Sequence, residues 1–267
     1  ESIVVKGAQE HNLKDIDVSF PLNRLVCVTG VSGSGKSTLI NDVLYNGLMK
    51  LKGKAAAEVP LCKEIQGHEH CDDVIMVDQS PIGKTTRSNP ASYVGAFDAI
   101  RKLFAEHPVS IERAYTAGTF SFNSGNGRCP YCGGNGFEHV EMQFLSDVYL
   151  RCHECNGKRF RNEILEIHIS DSTNGSHKSI SDILELTVAE AVEFFKNNKS
   201  VVTMLSPLID IGLSYLKLGQ PLPTLSGGEA QRLKLAGYIA DKKVSKSKNI
   251  LFLFDEPTTG LHFADIQ

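Results

Sequence analysis

The sequence predicts an α/β fold whose core is interrupted by a helical insertion carrying a metal-type cysteine module. Three observations predict it. A glycine-rich turn joins an apolar run to a helical pattern near the N-terminus. A second apolar run near the C-terminus ends in two acidic residues. Two Cys-x-x-Cys pairs lie between them.

The glycine-rich turn runs from Gly30 to Ser37 in the form G-x-x-x-x-G-K-S. Successive backbone N–H groups can surround a phosphate only where no side chain blocks the approach, and Gly30, Gly33 and Gly35 leave that space. Lys36 is placed to reach terminal phosphates, and the Ser37 hydroxyl to ligate Mg²⁺. Leu25–Thr29 reads as a buried strand entering the loop, with Cys27 as a small core residue. Ile40, Val43, Leu44, Leu48 and Leu51 recur at helical spacing beyond it. The loop therefore opens onto a helix N-terminus, where unpaired N–H groups and the dipole favour an anion.

Ile250–Phe254 is a continuous apolar run, the pattern of a parallel strand buried on both faces. Asp255 and Glu256 follow at its C-terminal end, where open α/β sheets bind ligands. Asp255 is the expected Mg²⁺ holder, and Glu256 the expected acceptor of a proton from attacking water.

Ser226 and Glu229 form an S-x-x-E capping box. Leu233, Ala236, Gly237 and Ala240 then repeat at helical spacing. Gly227 and Gly228 are poor helix formers, so their place in the first turn points to a close approach of backbone to a ligand. A second capping box, Thr187 with Glu190, precedes Val188, Ala191, Val192 and Phe195. Asn89-Pro90 marks a boundary, and a helix with Tyr93, Phe97, Ile100 and Phe104 on one face follows it.

Of seven cysteines, Cys129, Cys132, Cys152 and Cys155 form two C-x₂-C pairs with nineteen residues between them. That spacing suits a four-thiolate Zn²⁺ site. Two disulfides are the rival pairing, disfavoured by the odd, scattered remainder and by the lack of a secretory signal. His153 lies inside the second pair and is expected to be exposed rather than a ligand.

Apolar residues make up 41% and charged residues 22%, as in a globular chain, and no apolar run reaches the length of a membrane span. The formal net charge is −3, so a nucleic-acid surface must be a local patch. Arg128, Arg151, Lys158, Arg159 and Arg161 cluster around the cysteines, and Lys84 with Arg87 forms a smaller group. Residues 170–179 read as a disordered loop, and 242–249 as an exposed loop.

The string LSGGEAQRLKLA resembles the signature of ATP-binding-cassette (ABC) ATPases. Joined to the loop GVSGSGKST, the strings DQSPIGKTTRSNPASY and EMQFLSDVYLRCHECNGKRF, and the terminal DEPTTGLHFADIQ, it resembles the UvrA family of bacterial nucleotide excision repair. The second, C-terminal ABC module of that family is the part resembled. The resemblance implies an ABC-type P-loop NTPase core, first part at 1–88 and second part at 246–267. Between them, at 89–245, lies an inserted signature domain with a zinc module at about 125–162.

The resemblance further implies that Gly30, Gly33, Ser34, Gly35, Lys36, Ser37 and Thr38 cradle ATP. Ser226, Gly227 and Gly228 would close over the γ-phosphate held by a facing module. Gln79 becomes a Q-loop glutamine that joins Ser37 and Asp255 around Mg²⁺. The catalytic set is Glu256, Lys36 and Gln79. The implied cofactors are ATP, Mg²⁺ and Zn²⁺. The implied partners are damaged double-stranded DNA, a UvrB-like protein bound through a first module absent from this chain, and a second copy of the full-length protein. The setting is cytoplasmic, with no membrane partner. His262 belongs to the TTGLH segment and is not the switch histidine of ABC enzymes. Three other readings stand beside this one. An exporter ATPase predicts no cysteine insert. A DnaJ-like zinc module predicts no phosphate loop. A drug-resistance paralogue shares all these motifs.

Overall fold

The computed structural model describes residues 1–57, 59–83, 85, 87–140, 148–170, 175–240 and 249–258. The chain divides into two units. One holds Glu1–Asp78 together with the strand Ile250–Phe254; the other holds the described residues from Gln79 to Ala240.

In the first unit, strand Ser2–Ala8 lies between Ile16–Pro21 and Glu64–Gln66, antiparallel to both. Alternation along it buries Ile3 and Val5. They meet Leu39, Val43, Leu44 and Leu48 from the helices after the glycine-rich loop. The first of these helices, Thr38–Tyr45, is wound wider than an α-helix, and Asn46–Leu51 continues it in α geometry. Leu51, expected on the apolar face, is exposed because the helix ends there.

Asp73–Val77 pairs in parallel with Ile250–Phe254, with Val77 opposite Phe254. Asn249 and Asp72 lock the start of this ladder, since the Asp72 N–H donates to the Asn249 carbonyl at 2.7 Å. The strand Ile250–Phe254 forms as its apolar run predicts, but it is not buried on both faces. Leu253 is buried, whereas Phe254 is exposed. Only one neighbouring strand pairs with it among the described residues.

The expected strand Leu25–Thr29 does not form. Leu25 is 95% exposed, Val26 and Val28 are also exposed, and Cys27 lies at the surface instead of in a core. A β-propensity run becomes a strand only when a ladder partner and a covered face are supplied, and no described strand pairs with these residues.

The second unit is mainly helical. The Asn89 side chain accepts from the Ser92 N–H at 2.9 Å and so starts Pro90–Tyr93. Gly95, at φ +81°, breaks the chain before Ala96–Ala105. The single helical face expected from Tyr93 to Phe104 is therefore divided: Phe97, Ile100 and Phe104 are buried, and Tyr93 is 38% exposed. The Thr187–Glu190 capping box is formed in both directions, as is a second one between Ser179 and Asp182. These helices pack with Lys199–Asp210 around a core that includes Phe104, Phe120, Phe122 and Phe160.

His168–Ser170 and His177–Ser179 pair as an antiparallel hairpin, so the ends of the segment expected to be disordered are ordered by each other. Residues 171–174 of that segment lie outside the described residues, as do 242–248 of the other expected loop. No helix among the described residues is long and apolar enough to cross a membrane.

Candidate functional site

The glycine-rich loop turns at Gly33 (φ +78°) and Gly35 (φ +91°), a backbone region that side chains rarely adopt. A Cβ on Gly35 would lie 2.9 Å from Leu13 and 3.0 Å from Asn12, so glycine is also required for space. Asn12 fixes the loop from outside, donating to the Gly33 carbonyl at 2.7 Å. No sequence signal pointed to Asn12. Lys36 folds back over the turn, and its ammonium donates to the carbonyls of Gly30 and Val31, each at 2.8 Å. Ser37 precedes the helix Thr38–Tyr45 and its hydroxyl makes no capping bond, while Ser34 packs beside Gly30. The result is a concave run of backbone with a cation over it, opening a helix whose first N–H groups have no intrahelical acceptor. Backbone of this form is chemically suited to an oxyanion.

Asp255 and Glu256 leave the end of the strand Ile250–Phe254 in the same unit. The Asp255 N–H donates to the Val77 carbonyl at 3.2 Å, which extends the parallel ladder by one residue. Glu256 sits at φ +45°. A non-glycine residue there is uncommon, and such positions cluster at functional sites.

Gln79 and the helix Gly227–Ala240 belong to the second unit. Ser226 and Glu229 cap that helix reciprocally, at 2.8 Å and 3.3 Å. A Cβ on Gly227 would stand 3.1 Å from Oε1 of Gln79. In this unit the neighbour that crowds the glycine is a protein side chain, that of Gln79. Lys234, farther along the helix, donates to the Ser80 hydroxyl at 2.6 Å. Burial opposes ionisation of Glu229, but the Ser226 N–H and the Tyr215 hydroxyl outweigh it and hold the carboxyl below its usual range.

The four cysteines converge. All are buried, and their sulfurs lie within 4.8 Å of one another. Cys132 and Cys155 stand 3.7 Å apart, close to the separation of about 3.8 Å that tetrahedral ligation at about 2.3 Å from a Zn²⁺ demands. Disulfide bonding, at about 2.05 Å, is not present among these thiols. The two knuckles are tied by backbone bonds, from Cys129 to Arg159 at 2.8 Å and from Cys152 to Gly136 at 3.0 Å. Burial pushes Cys155 up to about 12, and a divalent cation offsets that cost for four clustered thiolates. The donor set therefore fits zinc. His153 is exposed and is not a ligand; it meets Glu138 at 3.1 Å and the Tyr131 ring.

The basic cluster is only partly at the surface. Arg151, Lys158 and Arg161 are exposed and Arg128 is half-buried. Arg159 is 4% exposed and is removed from any docking face. It follows the second knuckle at φ +71° and turns inward onto the Phe122 ring and the Gly219 carbonyl. Arg87 is turned into the first knuckle, donating to Asn135 and Gly133. Lys84 and His262 lie outside the described residues.

No family model matches the chain. It is 51% identical over its full length to UvrABC system protein A of Clostridium tetani. It is 50% identical over 99% of its length to the Thermus thermophilus protein of the same name. Over its whole length the chain is similar to UvrABC system protein A. It spans about 27% of those relatives' own length. The crystal structure of UvrA2 from Deinococcus radiodurans matches it with a TM-score of 0.86 at 44% identity, covering 99% of this chain and 31% of that one. The UvrA likeness thus runs through both units and the four-cysteine module alike.

Proposed function

We propose that this chain is the nucleotide-binding and zinc-bearing part of an ABC-type ATPase that recognises damaged DNA in nucleotide excision repair. The observation that carries the reading is the loop Gly30–Ser37, with Lys36 held over it, in a chain that is UvrA-like from end to end. The reaction is hydrolysis of ATP to ADP and phosphate, and the protein itself cuts no DNA.

In this reading, Gly30, Gly33, Ser34, Gly35 and Thr38 line the phosphate cradle. Lys36 exchanges its two carbonyl partners for phosphate oxygens, which strengthens as the leaving group gains charge. Glu256 takes a proton from the water whose oxygen attacks the γ-phosphorus, and the bond to the bridging oxygen breaks as ADP leaves. Ser37, Asp255 and Gln79 are the residues suited to hold Mg²⁺, which would neutralise phosphate charge. Gly227 and Gly228 offer backbone N–H groups, and Ser226 its hydroxyl, at a capped helix start to the nucleotide of a facing module. The domain limits at 89 and 245 belong to the same proposal, as does a cytoplasmic setting.

The four thiolates would hold Zn²⁺, which ties the two knuckles into one platform. Arg151, Lys158 and Arg161 present positive charge to DNA phosphates there. Distorted duplex is favoured because it costs less to deform, not because base edges are read. A UvrB-like protein and a second copy of the full-length protein complete the assembly.

The test uses the intact protein. Lys36→Ala lowers turnover about a hundredfold or more, as loss of a charge-stabilising donor does. Wild-type turnover in that variant overturns the assignment.

A further inference from the structure

Two arginines are exchanged between the zinc module and the strands of chain beside it. Arg87 reaches from the segment after Gln79 into the first knuckle, with Nε donating to Asn135 Oδ1 at 2.8 Å and Nη2 to the Gly133 carbonyl at 3.0 Å. Arg159 reaches the other way, from behind the second knuckle, and its Nη2 donates to the Gly219 carbonyl at 3.1 Å. Its guanidinium is buried over the Phe122 ring, 5.1 Å from the centroid.

The two receiving segments are themselves joined. The Ala91 N–H donates to the Leu218 carbonyl at 3.2 Å, and the Leu222 N–H to the Ser88 carbonyl at 2.9 Å. Asn89 ties back to the Arg87 carbonyl at 3.2 Å. One segment follows from Gln79; the other leads into Ser226 and Gly227, against which Gln79 packs. Arg87 holds its knuckle through two bonds of a planar fork and Arg159 is buried against a ring, so the partners of each have few alternative positions.

We propose that Arg87 and Arg159 form a reciprocal clamp that couples the Gln79 and Ser226 segments to the zinc module, so that nucleotide state and DNA grip change together. The clamp rests on the functional reading above. Both residues are positioning residues and touch neither nucleotide nor DNA. The coupling runs within one unit through these hydrogen bonds and the packing of Gln79 on Gly227.

The experiment compares Arg87→Ala and Arg159→Lys with wild type in the intact protein. Lysine keeps the charge beside the thiols but not the planar fork. Three quantities are read: zinc per chain, ATP turnover without DNA, and the change in turnover on adding damaged duplex. Zinc and DNA-free turnover stay at wild-type levels, while the DNA effect shrinks about tenfold, a usual size for coupling between sites. The double variant loses no more than the stronger single variant, because both act on one connection. Loss of zinc, or an undiminished DNA effect in Arg87→Ala, overturns the clamp. Arg87 is only half-buried, so that variant stays informative if Arg159→Lys folds poorly. A wild-type protein without turnover overturns the functional reading itself; a wild-type response shared by both variants overturns the clamp alone.

Discussion

The phosphate loop and the helix Gly227–Ala240 both open with glycines, yet the glycines serve different ends. In the loop they chiefly permit backbone angles: Gly33 and Gly35 both have positive φ, and of the two only Gly35 would also crowd neighbours if given a Cβ. In the helix they admit neighbours: Gln79 presses on Gly227, and a Cβ on Gly237 would meet the Tyr93 ring at 2.5 Å. The loop is consequently shaped by its own turns and by its neighbours Asn12 and Leu13, while the helix start is set by contacts from across its unit. A glycine pattern thus tells where backbone is bared, and only packing tells to whom.

The zinc module is the sharpest way to separate the two regions. Cys152→Ser with Cys155→Ser in the intact protein is expected to release one zinc per chain. Structural zinc supplies about 10–16 kcal/mol of apparent binding free energy in finger peptides. Amide exchange should therefore rise at Cys129 and Arg161, whose N–H groups bridge the knuckles, but not at Ile3 or Val5. Unchanged metal content would contradict the four-thiolate site.

A middle-sized effect is expected at Gly237. Alanine there gains about 1 kcal/mol of helix propensity but forces the Tyr93 ring aside, an overpacking cost of about 1–3 kcal/mol. Gly237→Ala should lower Tm in the wild-type background and raise it in Tyr93→Ala. A rise in both backgrounds would show that the helix has room and that the glycine answers to something else.

The smallest effect concerns Glu229. Its carboxyl is held below the usual range, so its stabilising bonds are fully present above about pH 4.3, the ordinary glutamate value. They are lost as pH falls through the lower folded value. Glu229→Gln should flatten the acid side of the stability curve and leave neutral-pH zinc content unchanged. An acid limb identical to wild type would remove Glu229 from the cap.

Much of this was legible in the chain because the signals are local. The capping boxes at Ser226 and Thr187, the Asn89 start and the paired cysteines depend on spacings of a few residues, and the structure forms each of them. What was not legible depends on distant partners. Leu25–Thr29 has the composition of a strand but no described ladder neighbour. The helix expected through Tyr93 is cut by one left-handed glycine, which apolar spacing does not reveal. Arg159 reads as surface charge and is buried because Phe122 and Gly219 wait for it 37 and 60 positions away. Roles at the glycine-rich loop rest on the chemistry that the spacing predicts; turnover in the Lys36 variant is their measure.

The parallel ladder has a consequence for how the molecule is made. Asp73–Val77 waits for Ile250–Phe254, and every described residue of the helical unit is synthesised in the interval. Joining strands so far apart in sequence is slow, since closure entropy is met before any contact rewards it. On the ribosome, the described helical residues therefore emerge with Asp73–Val77 still unpaired, and that strand meets its neighbour only after them.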